Sequence, residues 1–94
     1  MKVYIVKVTI YRQDTNIHDI VGVYSSIHNA HIAIQREMKE SNVKTDRIIM
    51  DKGKYRVDVP KEAVDEWTFP HTYTIESQVL DYGIDQDDDE NDDD

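Results

Sequence analysis

Residues 3–12, VYIVKVTIYR, decide the fold. β-Branched and aromatic side chains crowd this stretch, and they alternate. Tyr4, Val6, Val8 and Ile10 fall on one face; Lys7, Thr9 and Tyr11 fall on the other. A period of two is the mark of a strand with one side on a core and one toward water. The next four residues, QDTN (13–16), have turn composition. Residues 17–26, IHDIVGVYSS, then read as a second strand, antiparallel to the first through a hairpin. Gly22 inside that strand predicts a bulge or a close packing contact.

Beyond the hairpin the period changes to that of a helix. In SSIHNAHIAIQREMKESN (25–42), Ile27, Ala30, Ile34 and Met38 recur every three or four residues, with Ala33 beside them. Ser25 or Ser26 is placed to cap the start, and Asn42 to stop the end. Strand patterning then returns. DRIIMDKGKYRVDVP (46–60) reads as a hairpin, with Ile48 and Met50 on its first strand, DKGK at the turn, and Tyr55, Val57 and Val59 alternating with Arg56 and Asp58. Pro60 ends that strand and opens PKEAVDEW (60–67), where a proline at a first helical position and early acids predict one short helical turn. HTYTIESQVL (71–80) alternates again, Tyr73, Ile75 and Val79 against Thr72, Thr74, Glu76 and Gln78. The expected architecture is α+β: an antiparallel sheet of about four to five strands in the order β-β-α-β-β-(short α)-β, with one main helix on one face.

The chain has 94 residues, room for one domain. Residues 1–80 form the expected small α+β domain, and residues 81–94, DYGIDQDDDENDDD, an expected disordered polyacidic tail. A body of that size buries roughly 60–65% of its unfolded surface, enough for one modest core. The net charge of −9 is concentrated rather than spread. Residues 81–94 hold nine acids and no base, whereas residues 1–80 hold eleven acids and all eleven Lys and Arg. Removing the tail would therefore leave a formally neutral domain.

Several chemistries are excluded or disfavoured by residue type. No cysteine is present, so disulfides, thiol catalysis and Cys-based zinc sites are out, which fits a reducing cytosol. The apolar run after Met1 is short, is interrupted by Lys7 and lacks a small-residue cleavage site; it is expected to be neither a signal peptide nor a membrane span. Neither a G-x-S-x-G nor a glycine-rich phosphate loop occurs, and the tail carboxylates have nothing to fix their separation or shift their pKa. We therefore expect no enzyme and no cofactor. His28 and His31 share a helix side and could form half of a metal site, but no third and fourth ligands stand out. DQDDDE (85–90) resembles the start of a calcium loop, yet Glu90 replaces the required glycine and the twelfth position falls beyond residue 94. The bases Lys2, Lys7, Arg12, Lys44 and Arg47 are scattered, so direct nucleic-acid binding is not expected.

What remains is recognition. A dense carboxylate array can stand in for phosphates, because a DNA-binding protein presents Lys and Arg to a polyanion. Asp81, Asp85, Asp87, Asp88, Asp89 and Glu90 would supply long-range attraction. Asp58, Glu62, Asp65, Glu66 and Glu76 are the candidates for a folded acidic face that gives register. Trp67 or Tyr82 would anchor. In DEWTFPHTY (65–73), Trp67 and Phe69 either close one end of the core or form an exposed aromatic anchor flanked by acids.

The segments MKVYIV, DIVGVYSSIHNAHIAI and YTIESQVLD together resemble a class of small domains of bacteria and phages, a resemblance that covers most of residues 1–81. The whole layout, a small β/α body with a polyaspartate end, resembles phage-encoded acidic host-takeover proteins, in particular the DNA-mimic inhibitors of the nucleoid protein HU made by Bacillus phages. That resemblance implies a protein of the host cytosol that occupies the basic DNA-binding surface of HU and strips it from the chromosome. The other expectation is a small phage or bacterial interaction domain that uses an exposed sheet edge or aromatic patch, its tail only solubilising.

Overall fold

A computed structural model describes residues 1–50 and 55–80. It contains a five-stranded antiparallel sheet with one main helix on a face. The elements are β1 (Lys2–Tyr11), β2 (Asn16–Tyr24), α1 (Ile27–Glu40), a 3-10 turn at Thr45–Arg47, β3 (Ile49–Met50), β4 (Arg56–Val59), a second 3-10 turn at Lys61–Ala63, and β5 (His71–Val79). The sheet order is β2-β1-β5-β4-β3, so β5 is inserted between the two hairpins. The α1 crossover carries the chain from one edge of the sheet to the other.

The alternation in residues 3–12 is realised directly. Val6 pairs with Ile75, Val8 with Tyr73 and Ile10 with His71, which puts these side chains on one face. Val57 and Val59 of β4 oppose Tyr73 and His71 and extend that layer. Against it α1 lays the buried stripe Ala30, Ala33, Ile34 and Met38. Val43, Ala63 and Val64 close the cluster.

Both helix ends follow from local chemistry. Ser26 Oγ accepts from the Asn29 N–H at 3.0 Å, satisfying one of the orphan donors of the first turn. At the other end Asn42 takes a left-handed φ of 56°. The Val43 N–H then reaches back to the Met38 carbonyl and the Asn42 N–H to the Lys39 carbonyl, a Schellman closure with its apolar contact between Val43 and Met38. Gly22 sits at the expected bulge, where pairing steps from Val6↔Gly22 to Lys7↔Ile20 and leaves Val21 extra. The Tyr24 ring lies over it so closely that an added Cβ would meet Tyr24 Oη at 2.5 Å.

Three expectations need correction. β3 is only Ile49–Met50, both exposed, while Ile48 precedes the strand and packs on the core. The short α-helix at 60–67 is a 3-10 turn of three residues, because Val64 and the Asp65 turn leave helical geometry at once. Val79 does not continue the buried row of β5; it is exposed, with no helix among the described residues over it. The DKGK turn at 51–54 and the tail at 81–94 lie outside the described residues.

Candidate partner-binding site

The five acids expected to form one folded face are divided between two places. Asp58 and Glu76 both lie on the sheet face opposite α1, and both are matched. Asp58 Oδ1 accepts from Thr72 Oγ1 at 2.8 Å and from Arg56 Nε at 3.0 Å, so this carboxylate satisfies the otherwise buried Thr72 hydroxyl. Glu76 pairs with Lys7 at 2.7 Å. Their charges are locally neutralised, which removes them from a bare acidic face.

Glu62, Asp65 and Glu66 sit elsewhere, on the connection between β4 and β5. That connection is fixed by its own side chains. Asp65 Oδ1 accepts from the Trp67 N–H at 3.0 Å and from Thr68 Oγ1 at 2.8 Å. These bonds, the Thr68 hydroxyl foremost, hold the Asp65 carboxyl below its ordinary range, in the ionised form. Lys61 Nζ donates to the carbonyls of Asp65 and Thr68, at 3.2 and 3.1 Å, and staples the loop from the other side. The result presents Trp67 to solvent at 83% exposure, with Glu66 beside it. Trp67 is exposed and does not close the core, as one of the two sequence readings had it. The reason is that Ala63 and Val64 already seal the core here, and the Asp65 turn directs the next residue outward.

Behind Trp67 lies a cavity of about 290 Å³ on the helix side of the sheet. Trp67, Phe69, His71 and Tyr73 contribute its aromatic wall; Glu37 comes from the last turn of α1 and Ser41 caps its C-terminal end. Tyr73 is buried, and its phenol is pushed up to about 12, first by burial and then by the nearby Glu37 charge. Arg12 stacks over the Phe69 ring at 5.5 Å. Of these residues, sequence reasoning singled out Trp67, Phe69 and Tyr73 and missed Glu37 and His71 as wall residues. A signal existed for both: Glu37 is three residues beyond Ile34 and four beyond Ala33, within the apolar helical stripe, and His71 starts the inward row that continues as Tyr73 and Ile75.

The loop and the root of the tail are at opposite ends of the sheet. His71 follows the Trp67 loop, and Val79 is eight residue steps away along β5, about 27 Å. There Leu80 is tied to Met1, its N–H bonded to the Met1 carbonyl at 2.6 Å. Glu62, Asp65 and Glu66 therefore lie far from the root of the tail, whereas Glu76 is on β5 three residues before Val79. Asp81, Asp85, Asp87, Asp88, Asp89 and Glu90, and the second anchor Tyr82, lie outside the described residues.

His28 and His31 both border a shallow depression on α1 with Ile27, Gln35 and Met50. Among the described residues no group of three or more His, Asp or Glu is placed to hold a metal ion. Nor is any described helix long and apolar enough to cross a membrane. Compared with family models, curated proteins and solved structures, the chain gives no match in any of the three.

Proposed function

We propose that the chain is a non-enzymatic interaction module that binds the basic surface of a DNA-binding protein, HU-like in charge, and competes with DNA for it. The observation that carries this reading is Trp67, 83% exposed on a loop locked by Asp65 and Lys61, with Glu66 directly before it in the chain. A large aromatic held out on a pre-ordered loop loses little entropy on docking, and buried tryptophans dominate interface energetics. The nine acids of residues 81–94 add long-range attraction that accelerates encounter with a cationic partner. In this reading the loop gives specificity and the tail gives rate, and Asp58 and Glu76 serve the sheet rather than the partner.

The test is competition between the full chain and duplex DNA for purified HU across a salt series. Competition that weakens steeply with salt is expected, with Trp67→Ala weakening it about tenfold or more while the circular dichroism spectrum is unchanged. A chain ending at Leu80 should associate more slowly and lose most of the salt dependence. If no version competes at low salt, the reading fails. If Trp67→Ala competes as well as the parent, the loop is not the contact.

A second reading rests on a different observation. β2 is an edge strand of nine residues, with Ile20 59% and Val23 58% exposed. Such an edge can accept a partner strand, the tail then being only solubilising. Binding that ignores salt and is abolished by Val23→Lys would favour it.

A further inference from the structure

The cavity behind Trp67 is selective in its chemistry. Three features of it converge. Its wall is aromatic, from Trp67, Phe69 and Tyr73, and aromatic faces attract cations. Its rim carries the Glu37 carboxylate, half-buried and without an ion pair among the described residues, at the C-terminal end of α1, where the helix dipole is negative. Its floor includes His71, only 6% exposed, whose Nε2 is buried with no hydrogen-bond partner among the described residues.

The tautomer of His71 follows from its other nitrogen. Nδ1 lies 2.9 Å from the Phe69 carbonyl oxygen. A carbonyl only accepts, so Nδ1 carries the hydrogen, and Nε2 of the uncharged ring is left with a lone pair. A buried acceptor without a donor is costly, and such groups in native proteins usually have a partner. The cavity thus offers the Glu37 carboxylate beside aromatic side chains, with the unpartnered Nε2 buried behind its His71 lining. It suits a cation that donates hydrogen bonds.

We propose that this cavity is a binding site for the guanidinium group of an arginine side chain presented by the basic partner. The guanidinium fits better than an ammonium because it is planar, weakly hydrated and rich in donors, so it can stack and bond at once. Arg12 over Phe69 shows the same pairing within the molecule; Arg12 itself is not among the residues that line the cavity. The inference rests on the interaction reading above, to which it adds the group recognised.

The experiment uses the full chain labelled with nitrogen-15 and two small probes, acetyl-arginine amide and its uncharged isostere acetyl-citrulline amide. The arginine probe should shift the Trp67 indole N–H and the backbone amides of Glu37, Ser41 and His71 saturably, in the millimolar range. The citrulline probe should not. Glu37→Gln, which keeps the side-chain volume on an accessible helix end, should weaken the arginine probe about fivefold. Because His71 is buried, His71→Gln puts the fold itself at risk; Trp67→Leu serves as the second variant and should also weaken the probe. Equal binding of both probes overturns the proposal, as does arginine-induced shifting confined to residues away from the cavity, or an unchanged affinity in Glu37→Gln. The two readings fail separately. If the chain competes with DNA for HU but Glu37→Gln competes equally well and the probe leaves the cavity unshifted, the cavity proposal falls and the interaction reading stands. If the probe binds as described but no competition occurs, the interaction reading falls and a guanidinium site remains.

Discussion

Asp65 shows how one carboxylate can decide what a neighbouring side chain does. By accepting from the Trp67 N–H and the Thr68 hydroxyl it turns the chain outward. Asp65→Ala should leave the core intact and free the loop, which is read as faster depolarisation of Trp67 fluorescence with no change in far-ultraviolet dichroism. Because its pKa is lowered in the fold, the Asp65 contribution is present above the unfolded value of 3.8 and is lost as pH falls through the folded one. Loop mobility should therefore rise in acid. Tyr73 works in the opposite sense. Its phenol moves from 10.0 up to about 12 on burial beside Glu37, so folding favours the protonated form. The stability this represents, about 3 kcal/mol at most, is complete below pH 10 and is lost as pH rises from about 10 to 12. Denaturant titrations across that window should show the loss, and Tyr73→Phe should reduce it.

At the scale of elements, the bulge in β2 joins sequence to packing. Gly22 has no side chain, and the Tyr24 ring occupies the place where one would be. Gly22→Val should displace that ring and cost about 1 kcal/mol in chemical denaturation. The same change in a Tyr24→Leu background should cost less, and the difference measures the coupling. This element was legible beforehand because a glycine interrupting an alternating strand marks a bulge or a close approach. The α1 stripe and its Asn42 stop were legible for similar reasons, as period and cap agree. The loop at 60–69 was not. Pro60 followed by acids is a genuine helix-start signal, and Trp67 is a residue that usually seeks a core. What overrode both was an Asp65 turn and a Lys61 staple, bonds between side chains and backbone several residues apart that leave no periodic trace. The grouping of the acids was equally hidden, because neutralisation of Asp58 and Glu76 depends on neighbours, Arg56 and Lys7 among them, whose placement follows from strand geometry and register.

For the whole molecule, charge and structure are separable. The body balances its acids and bases, and the excess belongs to residues 81–94. A chain ending at Leu80 should therefore keep the thermal midpoint of the full chain, since the core residues and both helix caps lie within residues 3–75. A drop of several degrees in calorimetry would show that the tail takes part in the fold. The spatial order matters as well. The Trp67 loop and the cavity are at one end of the sheet, the root of the tail at the other, and a partner touching both must extend along the length of β5.

The placement of β5 has a kinetic consequence. Its residues 71–79 fill the gap between β1 and β4, and its partner on one side is residues 2–10. The β1–β2 hairpin and α1 can therefore form while the rest of the chain is still being synthesised, but the layer they would cover lacks its central strand until residue 79 emerges. Until then Val6 and Val8 border a missing neighbour, and the β4 hairpin has nothing to join. Closure between such distant segments is slow for a chain of this size, in the millisecond range or longer.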